Sequence, residues 1–263
     1  MEYEVEDFEI LTTILSALKW QEKTGDMKMV TDKAGARWYR ENGLDGLWIR
    51  GIDEGLEGLA IDASMFWAAG KLYALARESA PVAVIDTDFI VWDEILFDAL
   101  PDLAVIHDED LYPDVYPDPN HFNMKRGYVF DPDWDWRRKA YNAAFYVIKD
   151  EELLRYYTKE AIRFMESAQE GGDTLTYMVF AEQRLMAMCA GKLGKEVTLF
   201  SNLERLFKDG DGFFTHTWGM KQQMRENEYL RESFCRRCIG RILRDYPHMD
   251  AVLPRISVLR KYF

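Results

Sequence analysis

The chain has 263 residues, enough for one large α/β domain or two small ones, and its 48% hydrophobic and 30% charged residues leave little room for disorder. Its 33 basic against 46 acidic residues give a net charge of -13, which argues against a nucleic-acid or anionic-membrane partner, since either calls for a basic footprint. No segment approaches the ~20 apolar residues that span a bilayer, Met1-Glu2-Tyr3-Glu4 has the wrong charge for a signal peptide, and three cysteines form no disulfide framework, so the expectation is a cytoplasmic protein.

Leu11, Ile14, Leu15 and Leu18 fall on one helical stripe, so residues 8–23 are predicted as an amphipathic helix packed on a sheet. Met27 to Val30 follows as a short strand ending at Thr31-Asp32. Asp32 is placed to cap a helix from Ala34 to Asn42, with Gly43 as its stop. Leu47 to Arg50 is a further short strand, followed by an acidic, glycine-rich link from Gly51 to Gly58. Asp62 opens a helix from Ala63 to about Ser79 that Pro81 ends. That helix is apolar on most sides, so Lys71 in its middle must reach an edge or meet an anion.

Val82-Ala83-Val84-Ile85 is predicted as a buried strand, because a strand covered on both faces needs no polar alternation. It delivers Asp86 and Asp88, which point to one side if the chain stays extended. Two adjacent carboxylates repel unless a cation joins them, and Mg²⁺ or Mn²⁺ suits oxygen ligands. The alternative is an acidic turn that holds nothing. A helix Asp93 to Leu100 and a buried strand Leu103 to Ile106 come next. His107 to Asn123, rich in Asp, Pro, Tyr and His, is too long for a plain connector and is a candidate lid or acceptor loop.

Tyr141 to Ile148 is predicted as a strand, Glu151 to Ala168 and Thr174 to Cys189 as helices, and Val197 to Phe200 and Phe213 to Trp218 as strands. From Met220 to about Asp245 the pattern is helical, and this face is where a second copy would pack in a homo-oligomer. Cys235 and Cys238 form a CxxC inside that helix with no second pair, which is not a four-ligand zinc site. No repeat, low-complexity tract or linker divides the chain, so 1–263 is expected to be a single domain with 220–263 as a helical extension. Alternating strands and helices predict an α/β protein with a mixed, mostly parallel sheet and helices on both faces. Ligands of such sheets bind at the carboxyl ends of strands, where Asp86 and Asp88 stand.

Thr31-Asp32, Phe66-Trp67-Ala68-Ala69-Gly70-Lys71, Ile85-Asp86-Thr87-Asp88, Tyr141-Asn142-Ala143-Ala144, Ala181-Glu182-Gln183-Arg184-Leu185 and His216-Thr217-Trp218-Gly219-Met220-Lys221 together resemble the GT-A (Rossmann-like) glycosyltransferases. The similarity is to the glycogenin-like and lipopolysaccharide galactosyltransferase-like branch and to bacterial capsule-type sugar transferases, and it runs from about residue 10 to 222. It implies transfer of a hexose from a UDP-sugar to a hydroxyl acceptor such as a glycan, as in surface polysaccharide synthesis, with Mn²⁺ or Mg²⁺ as cofactor and retention of configuration by reaction on one face. By this resemblance Asp86 contacts the ribose and the metal, Asp88 chelates the metal, and His216 is its third protein ligand. Gly219 and Lys221 contact the diphosphate, Lys71 lies near the donor phosphates or sugar, and Asn142 helps position sugar and acceptor. Glu182 and Gln183 face the transferred sugar.

Two positions depart from the family. Ala144 stands where the family has glycine, and no strand precedes the first helix, which leaves Thr31 and Asp32 as the base contact. Two other readings share some of these residues. A GT-A-like protein that binds a sugar nucleotide or glycan without transferring it would keep the motifs. A haloacid dehalogenase-like phosphatase also places Asp-x-Asp at a strand end, with the first Asp as nucleophile, but Ile90 occupies its Thr or Val position and no later Asp-Asp pair follows in a suitable context.

Overall fold

The computed structural model describes residues 3–59, 61–208 and 212–263; Met1 and Glu2, on which part of the leader reading rests, lie outside them. In chain order the first elements are α1 (Asp7–Lys23), β1 (Met29–Val30), α2 (Lys33–Glu41), β2 (Ile52–Asp53), α3 (Ala69–Ala76), β3 (Val82–Ile85) and β4 (Phe89–Val91). Then come β5 (Leu103–Val105), β6 (Asp108–Glu109), β7 (Ala140–Tyr141), β8 (Phe145–Ile148), α4 (Glu151–Ser167), α5 (Thr174–Val179) and α6 (Leu185–Lys192). The last are β9 (Val197–Leu199), α7 (Leu203–Lys208), β10 (Phe214–His216), α8 (Met220–Glu226) and α9 (Glu228–Asp245), followed by short 3-10 turns. No helix among the described residues is long and apolar enough to cross a membrane.

The protein is mixed α/β, and its chain divides into two compact units. Residues 1–57, 86–95 and 212–263 form the first, and residues 58–85 and 96–211 the second.

The first unit is built around α1. Phe8, Leu11, Ile14, Leu15 and Leu18 are buried with Ile90 of β4 and with Cys235, Cys238, Ile239 and Ile242 of α9. The helix expected at residues 8–23 is present, but Thr12, Thr13 and Ser16 are buried too, so it is a central helix rather than a surface one. Ser16 can be buried because its hydroxyl donates to the Phe89 carbonyl at 2.6 Å, which also ties β4 to the helix. β1 pairs in parallel with β2. The second strand lies at Ile52–Asp53, because Trp48 to Gly51 closes into a turn, the Gly51 amide donating to the Trp48 carbonyl at 2.7 Å, where the run Leu47 to Arg50 predicts a strand. α2 begins and ends as expected, with Asp32 Oδ1 accepting from the Gly35 amide at 2.7 Å and Gly43 at φ +70. β4 and β10 form an antiparallel ribbon.

The second unit holds a four-stranded sheet in the order β3-β8-β5-β9. β5 and β9 are parallel, while β8 runs antiparallel to both β3 and β5. Three strands therefore share a direction and the fourth runs against them. The β5–β8 connection contains no crossover helix, and an antiparallel neighbour needs none. Leu103 and Val105 of β5 and Tyr146 and Ile148 of β8 alternate onto one face, where they meet Leu72 of α3, Leu154 and Ala161 of α4 and Leu185 of α6. Residues of α3, α4, α5 and α6 pack against that face. β3 is half-buried rather than fully buried, since it stands at the edge of the sheet. The helix predicted from Ala63 starts only at Ala69, because Asp62 is taken up in a turn, accepting from the Ser64 and Met65 amides. Asp93 to Leu100 forms only a 3-10 turn at Phe97–Ala99.

Candidate metal centre

Asp86 and Asp88 lie in the first unit with His216, Thr217 and Lys221. The chain does not stay extended past β3. The Phe89 amide donates to the Asp86 carbonyl at 3.0 Å, so Asp86 to Phe89 is a tight turn. After it the chain enters β4, whose Phe89 pairs with His216 of β10. Continuing that antiparallel register by one residue sets Asp88 opposite Thr217, and the Thr217 hydroxyl donates to Asp88 Oδ2 at 2.6 Å. The chain then turns, with the Met220 amide donating to the Thr217 carbonyl at 2.8 Å, and the first turn of α8 brings Lys221 Nζ to 3.0 Å from the same Asp88 oxygen. His216 Nε2 stands 3.6 Å from it. The imidazole leans on the Phe89 ring, 5.6 Å between centroids, and Phe89 stacks on Phe214 at 4.6 Å.

One ligand atom from each of Asp86, Asp88 and His216 lies within 4.8 Å of the others. Ligands around a Mg²⁺-sized ion, with bonds of ~2.1 Å, stand about 3 to 4 Å apart, so small side-chain adjustments suffice to bring all three to one ion. The donor set, two carboxylates and an imidazole, suits Mn²⁺ and Mg²⁺ better than thiophilic metals. The Asp88 side chain is only 6% exposed. Burial by itself would raise its pKa, but His216, Lys221 and Thr217 outweigh it and hold the carboxyl well below the usual carboxylate range. Asp88 is therefore an anion at any physiological pH.

The remaining candidates fall in separate places. Thr31 and Asp32 belong to the first unit but do not join the cluster. Asp32 is occupied as the cap of α2, and Thr31 donates its amide to the Asp53 carbonyl at 2.9 Å. Gly219 has an ordinary φ of -68, and a Cβ there would meet no atom within 4 Å, so the fold itself does not demand glycine at this position.

In the second unit Lys71 and Glu182 form one polar pair, and Asn142 and Gln183 belong to a hydrogen-bonded chain through Glu109 and Tyr116. Lys71 pairs with the buried Glu182 carboxylate and donates to the Ala143 carbonyl at 3.2 Å, which answers the requirement for an anion near it. Asn142 donates to Glu109 Oε1 at 3.0 Å, and its Oδ1 accepts from the Ala144 amide at 3.1 Å. The Tyr116 hydroxyl bridges Glu109 at 2.7 Å and Gln183 at 2.5 Å. Glu182 and Gln183 sit in a single π-helical turn, Phe180–Arg184, inserted between α5 and α6. Such turns recur at functional sites.

Sequence reasoning missed Thr217, Glu109 and Tyr116. Thr217 lay inside a quoted motif without a role. Tyr116 lay in the loop singled out for its length. Only tertiary pairing reveals that their side chains reach the candidate residues.

Fold and site thus define a mixed α/β protein with a carboxylate and imidazole cluster fit for a divalent cation. The chain belongs to the family described as "Family of unknown function (DUF6734)", whose family model matches residues 2–224. No curated protein and no solved structure matches it.

Proposed function

We propose that this protein is a metal-dependent glycosyltransferase of the GT-A type, moving a hexose from a nucleotide diphosphate sugar, UDP-linked, to a hydroxyl acceptor in the cytoplasm. The observation that carries the reading is the convergence of Asp86, Asp88 and His216 within 4.8 Å, with Lys221 on the same Asp88 carboxylate. Breaking a glycosyl-phosphate bond leaves negative charge on a departing diphosphate. A divalent ion held by Asp86, Asp88 and His216 would supply Lewis-acid stabilisation of that charge. Lys221 adds a second positive charge on a mobile stem, and the open space at Gly219 leaves room for phosphate oxygens near the backbone. Thr217 orients Asp88 by donating to it. The resemblance carries a sugar-binding role to Glu182, Gln183 and Asn142, and a network of amides, carboxylates and a phenol is of the kind that binds sugar hydroxyls.

The test is hydrolysis or transfer of UDP-sugars with and without Mn²⁺, beside the Asp88→Ala variant. The expected outcome is Mn²⁺-dependent turnover in the wild type and its loss in Asp88→Ala. Full metal-independent activity in that variant would sink the assignment, and nucleotide binding without any donor turnover would point to a sugar-nucleotide binder instead.

A further inference from the structure

Asp88 Oδ2 receives the Thr217 hydroxyl at 2.6 Å and the Lys221 ammonium at 3.0 Å. That oxygen thus already accepts from two donors, and His216 Nε2 stands 3.6 Å from it. A dication entering among Asp86, Asp88 and His216 meets an ammonium bound to one of its own ligands, and like charges at that range repel. Of the groups present, Lys221 is the one free to swing away. Its side chain is 33% exposed and ends a flexible four-carbon stem, whereas Asp88 is buried and His216 is fixed by the β4–β10 pairing.

We propose that Lys221 is a resident counter-ion which the metal displaces: it neutralises Asp88 in the metal-free protein, and cation binding releases it to take the diphosphate of the ligand. This rests on the reading of Asp86, Asp88 and His216 as a metal centre. Two consequences follow from charge alone. The metal by itself binds against the cost of expelling Lys221. The anion binds well only after the metal, because before that the ammonium is engaged with Asp88. Coupling of this kind is reciprocal, so a bound diphosphate strengthens metal binding by the same factor.

Calorimetric titration of Mn²⁺ without nucleotide into the wild type, Lys221→Gln, Lys221→Arg and Asp88→Ala tests the first consequence. Lys221→Gln should bind Mn²⁺ about fivefold more tightly than wild type, the effect of removing one partly exposed ion pair. Lys221→Arg, which keeps the charge, should stay within about twofold of the wild type, and this guards against a mere folding effect. UDP and pyrophosphate are then titrated at saturating Mn²⁺, where Lys221→Gln should bind both about tenfold more weakly. A Lys221→Gln affinity for Mn²⁺ equal to or below that of the wild type, with Asp88→Ala abolishing binding, overturns the exchange and leaves the metal centre standing. Weakened UDP binding with unchanged pyrophosphate binding removes Lys221 from the phosphates and likewise overturns it. Absence of Mn²⁺ binding to the wild type and to Lys221→Gln alike overturns both the exchange and the metal centre.

Discussion

At the scale of single residues, Thr217 is the clearest case of a group whose role exists only in the fold. It is 2% exposed, and its hydroxyl has one charged acceptor, Asp88. Replacing it by valine keeps the shape and removes the donor. We expect Thr217→Val to weaken Mn²⁺ binding by about tenfold, the usual effect of losing a group that orients a metal ligand. Unchanged affinity in calorimetry would show that Asp88 needs no such orientation. Gly219 behaves in the opposite way. Because nothing packs where its Cβ would be, Gly219→Ala should leave the melting temperature within about 2 °C of the wild type, as expected for a surface change of a few tenths of a kcal/mol. The same variant should bind UDP in the presence of Mn²⁺ more weakly if phosphate oxygens approach this backbone. Equal UDP affinity would remove Gly219 from the site.

The elements show how local signals survive or fail. α4 is capped by Asp150, whose carboxylate accepts from the Leu153 amide at 2.7 Å, and its boundaries agree with the predicted ones to within a residue. The single helix expected from Met220 to Asp245 is two, because Asn227 leaves the helical region and caps α9 through the Leu230 amide at 3.0 Å. Asn227→Ala should cost about 1 kcal/mol, measured by chemical denaturation, the typical loss for an N-cap. The π-helical turn that carries Glu182 had no periodic signature, since residues 176–190 are buried on nearly every side and present no one-sided apolar stripe whose phase an extra residue could shift.

The loop joining β6 and β7 is pinned by Asp131, whose carboxylate takes the Lys192 ammonium of α6 and the Tyr156 hydroxyl of α4. Burial works to raise its pKa, but Lys192 and Tyr156 prevail and bring it to about 2. The folded value lies below the unfolded carboxylate value near 4, so Asp131 adds stability that is complete above about pH 4 and is lost as the pH falls from there towards 2. Asp131→Asn should lower stability at neutral pH by about 1 kcal/mol, an amount reduced by solvent screening, and flatten the acid limb of the stability profile in that window. A profile parallel to the wild type would refute this.

For the whole molecule, the decisive fact is that sequence neighbours and spatial neighbours differ. The first unit is assembled from three separate segments, so Asp88 and His216 meet across about half the chain. Residues Ser257–Tyr262 dock back on α1, with Leu259 fully buried, the Tyr262 hydroxyl 2.7 Å from Asp7 and the Lys261 ammonium 2.8 Å from it. Removing residues 257–263 should lower the melting temperature by about 10 °C, since one buried leucine and a buried carboxylate lose their partners together. A melt unchanged within about 2 °C would show that this packing adds little to stability.

Capped and striped helices such as α1, α2 and α4, apolar strands such as β3, β5 and β8, and the residue types of the candidate site were legible in the sequence, because capping, periodicity and carboxylate chemistry act over a few residues. The sequence also named Asp86, Asp88 and His216 as a set, through a resemblance in motif order. Only the tertiary structure decided that a turn rather than an extended strand brings the two aspartates together, that β8 runs against its neighbours, and that Thr217 and Lys221 share one oxygen of Asp88. The direction of β8 and the shared oxygen depend on pairing between segments distant in the chain, 129 positions apart for Thr217 and Asp88, which no local pattern encodes.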